Sequence, residues 1–224
     1  MTLDEVRRAL ALPRPGRPAH VRMSPRPRPG DIFPLPPEIQ PKEAGVLILL
    51  FPRDQDLSFF LTRRTDTVEN HKGQISLPGG AQEAGESLSE TARRETCEEL
   101  NIDPAGLGII DGPLTPVYIP VSGFRATPFV AYTPARPRVS AEPGEVGEII
   151  DTSLELIVDE KNVAEEEWEI RGYKGIVPFF NVNGHKVWGA TAMVLGEFAE
   201  MLRRAKAGGQ VGVSATGEHG AEGF

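Results

Sequence analysis

A glycine turn that leads directly into a strongly acidic helix constrains the fold of this chain more than any other feature of its sequence. Residues 73–101 read GQISLPGGAQEAGESLSETARRETCEELN. On a helix with about 100° between successive residues, Glu95, Glu98 and Glu99 fall within an arc of about 100°. Like charges at this spacing repel, and the helix dipole disfavours anions near the C-terminal end. A bound divalent cation would make the cluster favourable, because Mg²⁺ takes carboxylate oxygens together with substrate phosphates.

The residues that flank the acidic cluster help to decide whether it is a metal site or a solvated acidic face. A solvated acidic face balanced by Arg93 and Arg94 is the plain structural alternative, and the glutamate spacing alone does not exclude it. The turn at Pro78–Gly80 allows the backbone to approach a ligand closely. Asn101 stands where a left-handed residue commonly ends a helix. We therefore predict a turn, a loop and a helix over Ser87–Leu100 that together fix carboxylates for metal binding.

The spacing of these residues resembles the Nudix box. That box is a glycine, five residues, a glutamate, seven residues, arginine-glutamate, an aliphatic, any residue, two glutamates, any residue, a glycine and an aliphatic. From Gly80 through Glu86 to the run Arg94–Ile102, every charged position matches without a gap. Thr96 replaces the aliphatic residue and Asn101 replaces the glycine. Both changes are mild, because a threonine methyl can pack and asparagine tolerates the left-handed region.

The resemblance implies a fold, a cofactor and residue roles. The fold would be an α/β Nudix α/β/α sandwich, with a mixed curved β-sheet and a loop–helix–loop catalytic motif. Glu95, Glu98 and Glu99 would hold Mg²⁺ or Mn²⁺ against a diphosphate, and Glu98 or Glu99 would help to activate water. Arg94 and Glu86 would orient the helix by pairing with each other. A metal in this position neutralises developing charge and lowers the pKa of bound water.

The residues before the box resemble the signature of the coenzyme A pyrophosphatase branch. The matching runs are Leu61-Thr62-Arg63-Arg64-Thr65 and the stretch from His71 to Gly80. Planar arginine donors suit phosphate oxygens. The resemblance implies that the substrate-binding residues are Arg63, Arg64, Lys72, Gly79 and Gly80. The alternative is that Arg63 and Arg64 simply stand at the end of a strand, with one of the two side chains in solvent.

At one position this chain differs from the second signature in a way that matters for anion binding. Phe60, Thr65 and Leu77 are conservative replacements, but Glu69 stands where the branch has a second arginine. The replacement reverses the charge near a candidate anion site. A further run, Trp188–Ala192, also resembles the start of the last helix of this branch. The two signatures together span roughly Gly45 to Leu202.

Many Nudix proteins use a further glutamate from outside the box as general base or extra ligand. Glu145 and Glu148 stand in the region where that residue usually occurs. The resemblance makes both of them candidate catalytic residues. A solvated loop acid is the alternative for each, and the sequence does not decide between the two interpretations.

Three functions follow from these patterns. The first is metal-dependent hydrolysis of the diphosphate of coenzyme A to 3′,5′-ADP and 4′-phosphopantetheine. The alternative is a Nudix hydrolase of another nucleoside diphosphate derivative, such as ADP-ribose or NADH. A non-catalytic ligand sensor on the same fold is disfavoured, because a sensor does not need clustered, mutually repelling carboxylates.

The chain divides into three parts by composition. Residues 1–40 are predicted to hold a short helix, with a capping box at Thr2 and Glu5, and then an extended proline-rich arm. Ten of the 21 prolines lie between Pro13 and Pro41, which argues against regular helix or central strand there. Residues 41–206 form the expected Nudix domain. Residues 207–224 are glycine-rich and predicted to be a flexible tail.

Hydrophobic patterns predict the remaining elements. Buried strands are expected at Ala44–Phe51 and Leu57–Arg63, and Asn183-Gly184 is a strong hairpin signal. A final amphipathic helix is expected over Thr191–Lys206. Further strands are predicted around 107–110, 114–119, 127–132, 178–182 and 185–188, whereas 145–155 is ambiguous.

The net charge, the number of cysteines and the length of the apolar runs argue against several classes of protein. The net charge is −8, which argues against a general nucleic-acid footprint. The single cysteine, Cys97, excludes a disulfide within the chain and favours a reducing compartment. The longest apolar run, Val46–Phe51, is too short to span a bilayer. We expect a cytoplasmic protein that acts on a small molecule and binds neither membrane nor nucleic acid, and the sequence leaves a homodimer open.

Overall fold

A computed structural model describes residues 1–28, 34–65, 73–105, 107–170 and 172–213 of the chain. The helices are α1 Leu3–Leu10, α2 Arg17–Arg22, α3 Leu88–Leu100, α4 Leu154–Val158 and α5 Gly189–Val213, with a short 3₁₀ helix at Glu160–Asn162. The strands are β1 Lys42–Arg53, β2 Asp56–Arg64, β3 Ile75–Ser76, β4 Gly79–Ala81, β5 Gly108–Asp111, β6 Val117–Ile119, β7 Phe124–Tyr132, β8 Val146–Ser153, β9 Val163–Ile170, β10 Tyr173–Val182 and β11 His185–Trp188.

The main sheet is built around β1. Strand β1 runs parallel to β7 and antiparallel to both β2 and β4. Its first part, Ala44–Val46, pairs with β4, and its last part, Leu50–Arg53, pairs with β2. The order β3-β2-β1-β7-β5 is completed by β6 on β7 and β8 on β2. The predicted mixed sheet of an α/β fold is confirmed.

Two apolar layers cover the opposite faces of this sheet. Leu47, Leu49 and Phe51 alternate along β1 and pack with residues of α3, whereas Ile48 and Leu50 face a second core that includes α5. Each fully buried leucine or phenylalanine stabilises the fold by about 1.5–3 kcal/mol. Helices therefore lie on both faces of the sheet, as the sandwich prediction requires.

A smaller three-stranded sheet, in the order β11-β10-β9, stands beside the main one. The predicted hairpin is present, because Asn183 and Gly184 take positive φ angles of 51° and 87° between β10 and β11. Strand β9 was not predicted. Its sequence VAEEEWEI has too little alternation of apolar and polar residues to predict a strand. The segment forms a strand because it pairs with β10.

The N-terminal segment packs onto the domain rather than away from it. The predicted capping box of α1 is present at Thr2 and Glu5, and the apolar face of α1 belongs to the core that includes α5. The prediction that Pro13–Pro41 contains no regular helix is wrong over α2. Pro18 stands in the first turn of α2, where its missing N–H costs no helical hydrogen bond.

A buried glutamate fastens this segment to α5. The side chain of Glu197 is fully buried, and its carboxylate accepts hydrogen bonds from the Gly16 N–H at 2.9 Å and the Thr115 hydroxyl at 2.6 Å. His20 Nε2 lies 3.3 Å from the same carboxylate. Burial alone raises the pKa of Glu197, but the hydrogen bonds with His20 and Thr115 outweigh it and hold the pKa below its ordinary value.

The last helix is longer than the sequence predicted. It begins at Gly189 and continues to Val213, so residues 207–213 are helical and the predicted flexible tail is wrong for them. Residues 214–224 lie outside the described residues. Among the described helices, none has both the length and the apolar character needed to cross a bilayer.

Candidate functional site

A cavity of about 1100 Å³ lies between the main sheet, helix α3, the three-stranded sheet and the N-terminal segment. Glu95 and Glu99 of α3 line one part of it, together with the glycines of β4. Arg64, at the end of β2, and Glu145, just before β8, line it as well. Six of the site residues singled out from the sequence are thus brought together from four separate segments: Arg64, Gly79, Gly80, Glu95, Glu99 and Glu145.

Local interactions fix helix α3 at both ends. Ser87 caps the first turn and forms a capping box with Glu90. Asn101 ends the helix in the left-handed conformation, with φ 51°, as predicted. Glu95 and Glu99 stand one turn apart between these caps, so the helix presents both carboxylates to the same cavity.

Two close approaches involve the glycines of β4, one to backbone and one to the end of the Glu95 side chain. Gly79 has φ +150°, and a Cβ there would stand 2.3 Å from the carbonyl oxygen of Gly45. A Cβ on Gly80 would stand 2.3 Å from the carboxyl carbon of Glu95. Gly45 is equally constrained, because its Cβ would lie 2.3 Å from the carbonyl oxygen of Leu88 on α3. The backbone of the sheet and the acidic helix are therefore in direct contact.

Arg94 holds the acidic residues of α3 in place. Its Nε donates to Glu86 Oε1 at 2.7 Å and its Nη2 donates to Glu86 Oε2 at 3.2 Å, so the predicted pairing is present and is bidentate. The same guanidinium donates to Glu95 at 2.9 Å and to Glu98 at 3.0 Å. The hydrogen bond with Arg94 lowers the pKa of Glu86 to about 2, and the pKa of Arg94 is raised by the same bond.

These contacts partly match the alternative of a charge-balanced acidic face. Arg94 balances Glu95 and Glu98, whereas Arg93 donates to the carbonyl of Pro104. Glu98 lies outside the cavity lining, and its side chain is 58 % exposed. The helix therefore carries its three box glutamates on two different surfaces in this conformation.

Glu99 is the most buried of the box carboxylates. It is 6 % exposed, and it accepts a hydrogen bond from the Thr62 hydroxyl at 3.3 Å. Burial raises the pKa of Glu99 to about 7, with the charges of Glu95 and Glu145 adding to the effect and Arg64 opposing it. Burial also raises the pKa of Glu95, against the influence of Arg94. Both carboxyl groups therefore ionise less readily than they would in water.

The donor chemistry of the cavity suits a hard divalent cation. Glu95, Glu99 and Glu145 offer carboxylate oxygens, which are the ligands that Mg²⁺ and Mn²⁺ prefer. As the side chains of the described residues stand, no three of their carboxylate, imidazole or thiol groups are close enough together to hold a metal. The lining carboxylates thus fit the implied metal in ligand type and charge.

The structure separates the two glutamates proposed from outside the box. Glu145 lines the cavity, and its charge acts on both Glu95 and Glu99. Glu148 pairs with Arg63 at 3.2 Å across the β2–β8 ladder and lies 3.5 Å from His185. Neither Glu148 nor Arg63 is part of the cavity lining. The sequence could not tell these two glutamates apart, because both interpretations depend on which side of β8 each side chain faces.

The basic residues predicted for substrate binding do not all line the cavity. Arg64 lines the cavity, and its buried Nε has no hydrogen-bond partner among the described residues. Lys72 and Glu69 lie outside the described residues. Two other cations, Arg28 and Lys174, line the cavity, and neither was predicted as a substrate-binding residue. No local pattern in the sequence indicates that these two residues line the same cavity.

The side chain of Trp188 contacts both another aromatic ring and the cavity. It stands edge-on to Trp168, with ring centroids 5.3 Å apart, and it also lines the cavity. Its ring is only partly buried. Packing and ligand contact are therefore both open to this side chain.

Comparison with known proteins agrees with the Nudix box. Residues 41–175 match the NUDIX domain family. The chain is 34 % identical to Nudix hydrolase 22, chloroplastic, of Arabidopsis thaliana over 168 residues, which are 71 % of this chain and 55 % of the relative. It is 31 % identical to an uncharacterized Nudix hydrolase NudL of Pectobacterium atrosepticum over 170 residues, which are 74 % of this chain and 87 % of the relative.

Coverage differs among these similar proteins. The chain spans 55–58 % of the length of the two plant relatives, the second being Nudix hydrolase 15, mitochondrial, of the same plant. A crystal structure of a Nudix hydrolase from M. smegmatis superposes with a TM-score of 0.47 at 16 % identity, covering 75 % of this chain and 87 % of that one.

Proposed function

The chain belongs to the NUDIX domain family, and from that premise we propose that it is a metal-dependent pyrophosphohydrolase of coenzyme A and its derivatives. The products would be 3′,5′-ADP and 4′-phosphopantetheine. The observation that carries the proposal is the meeting of Glu95, Glu99, Glu145 and Arg64 in one cavity. Carboxylates for a divalent cation and an arginine for a phosphate are the two kinds of group that diphosphate cleavage needs.

The proposed metal is Mg²⁺ or Mn²⁺, and Glu95 and Glu99 of α3 would hold it. When bound, it would neutralise charge on the diphosphate and lower the pKa of a bound water. Glu98, predicted as a third box ligand, is hydrogen-bonded to Arg94. It can join the set only by leaving that arginine.

The protein's own groups would position the substrate and move one proton. Arg64 would contact a phosphate oxygen, because its guanidinium reaches the cavity beside Glu99. The backbone of Gly79 and Gly80 would pass close to the diphosphate. Glu145 would accept the proton of the attacking water. The water oxygen would bond to one phosphorus as the bridging P–O bond breaks, and the bridging oxygen would leave with the second phosphate.

The size of the cavity supports a substrate as large as coenzyme A. Its volume, about 1100 Å³, slightly exceeds the roughly 300–1,000 Å³ of pockets for drug-sized ligands. The coenzyme A signature around Arg63–Arg64 supports the same choice. ADP-ribose and NADH remain the alternative substrates, since Trp188 could stack on the adenine of any of the three.

The deciding experiment compares kcat/KM for coenzyme A, ADP-ribose and NADH with the full chain in excess Mg²⁺. We expect coenzyme A to have the highest value. Faster turnover of ADP-ribose or NADH would assign the chain to the alternative substrates. Undiminished turnover in excess EDTA would overturn the metal-dependent mechanism. A cytoplasmic location and a homodimer stay predictions that fractionation and light scattering can test.

A further inference from the structure

One wall of the cavity comes from outside the family match. Pro25, Pro27 and Arg28, from the segment that follows α2, line the cavity. Lys174 of β10 lines it as well, near the end of the matched residues. This wall carries two cations, whereas α3 contributes carboxylates to the same space.

The N-terminal segment is held firmly against β10. Arg26 and Ile176 exchange two backbone hydrogen bonds, at 2.9 Å and 3.0 Å, as an isolated antiparallel bridge. The Arg26 guanidinium donates to Glu165 on β9 at 2.7 Å. A Cβ on Gly175 would lie 3.0 Å from the Arg26 carbonyl oxygen, so this glycine permits the close approach. Upstream, Gly16 and His20 are fastened to α5 through Glu197.

Both cations stand close to that bridge along the chain. Arg28 comes two residues after Arg26, Lys174 comes two residues before Ile176, and both residues line the cavity. Arg28 also donates to the Tyr118 carbonyl at 2.8 Å, which fixes its guanidinium beside the cavity. Among the described residues, no ion pair of Lys174 is found.

Arg28 and Lys174 are not among the main charges that act on Glu95 and Glu99. Arg64 is the lining cation that acts on Glu99, so it serves the diphosphate in the proposed function. In a protein of net charge −8, a local pair of cations in a cavity is the arrangement that attracts a second anionic group.

We propose that Arg28 and Lys174 form a second anion subsite, which takes a phosphate monoester remote from the hydrolysed diphosphate. This inference rests on the proposed function for its ligand, which would be the 3′-phosphate of coenzyme A. A dianionic phosphate can accept charge-assisted hydrogen bonds from both side chains. The subsite would make the N-terminal segment a determinant of substrate choice.

The test measures binding separately from turnover. Calorimetry with the full chain gives dissociation constants for 3′,5′-ADP and for 5′-AMP, which differ by the 3′-phosphate alone. The variants are Lys174→Ala, Lys174→Arg and Arg28→Ala. Lys161→Ala is the matched control, because Lys161 is exposed and lies outside the cavity lining. The ratio of kcat/KM for coenzyme A over dephospho-coenzyme A is measured on the same proteins.

In the unaltered protein, we expect 3′,5′-ADP to bind at least roughly tenfold more tightly than 5′-AMP. Lys174→Ala should reduce that preference by roughly tenfold, Lys174→Arg should keep most of it, and Lys161→Ala should leave it unchanged. The two kcat/KM values should follow the same pattern. Equal or undetectable binding of the two nucleotides, or equal effects of Lys174→Ala and Lys161→Ala, would overturn the subsite.

The two proposals fail in different ways. If ADP-ribose is the better substrate but Lys174→Ala still removes the preference for 3′,5′-ADP, the subsite stands and the coenzyme A assignment falls. If coenzyme A is cleaved best but Lys174→Ala slows coenzyme A and dephospho-coenzyme A equally, the assignment stands and the subsite falls.

Discussion

The carboxylate of Glu95 lies against the backbone of Gly80 so closely that a Cβ on residue 80 would stand 2.3 Å from its carboxyl carbon. Real Cβ atoms essentially never come so near another heavy atom. The glycine turn read from the sequence therefore leaves room for the acidic helix itself. It couples the position of a candidate metal ligand to the edge of the main sheet.

The first prediction concerns this contact. Gly80→Ala should displace the Glu95 carboxylate and lower kcat/KM by at least roughly tenfold, since small misplacements of catalytic groups are costly. It should also raise the Mg²⁺ concentration needed for half-maximal activity. Gly108→Ala is the control, because a Cβ at Gly108 meets nothing within 4 Å. An unchanged Mg²⁺ requirement in Gly80→Ala would show that the position of Glu95 does not matter.

The second prediction concerns the buried Glu99. Its pKa in the folded protein, about 7, is above the ordinary value of 4.5. The folded state therefore holds its proton more tightly than the unfolded state, and Glu99 lowers stability progressively as pH rises from about 4.5 to about 7. Glu99→Gln removes that effect, while kcat should fall by orders of magnitude.

Urea unfolding in EDTA at pH 5 and pH 8 tests the stability part. The difference in unfolding free energy between Glu99→Gln and the unaltered protein should move in favour of the variant by roughly 1–3 kcal/mol as pH rises. A difference that stays constant between the two pH values would contradict the raised pKa. Circular dichroism of the variant serves as the control for folding.

The third prediction separates the two glutamates near β8. Glu145→Gln should lower kcat by roughly 10²–10⁴-fold, the usual contribution of a general base. Glu148→Gln should leave kcat within about threefold, because its carboxylate pairs with Arg63 and lies near His185 outside the cavity. Steady-state rates at saturating substrate measure both effects. The opposite ranking would mean that β8 presents its other face to the substrate.

The fourth prediction concerns the buried Glu197. Its pKa in the folded protein is below its ordinary value of 4.5. Its stabilising effect is therefore fully present above about pH 4.5 and is lost as pH falls through the folded-state pKa. Glu197→Gln should cost about 1–3 kcal/mol at pH 7, and the cost should shrink below pH 4.5. Urea unfolding at pH 7 and pH 3.5 measures it, and an equal cost at both values would contradict the lowered pKa.

Local features of the sequence were the most predictable. Helix α3 was placed correctly because Ser87 caps it and Asn101 ends it through interactions within a few residues. The Asn183-Gly184 hairpin was predictable for the same reason. Helix α2 was not predicted because the many prolines of this segment were taken to exclude a helix. Pro18 stands in the first turn of α2, where a proline is tolerated.

Features that depend on distant partners were not predictable. Strand β9 forms because it pairs with β10, and not because its own residues favour a strand. The contrast between Glu145 and Glu148 depends on the register of β8 against β2. The segments that carry Arg28 and Lys174 are joined by a bridge between Arg26 and Ile176, which are 150 residues apart. The division of the chain at residues 40 and 206 stays a prediction, although α1 and α2 already pack on α5.

The attachment of residues 16–20 to Glu197 has a practical consequence for protein production. A recombinant fragment that began near Lys42, where the family match starts, would lack the Gly16 and His20 partners of that buried carboxylate. It would also uncover the apolar surface of α5 that α1 now covers. Such a fragment would have a buried carboxylate that keeps only its hydrogen bonds from Thr115, next to an exposed apolar surface, and we expect it to aggregate during purification. Trimming this protein to its family boundaries is therefore the wrong strategy for crystallisation.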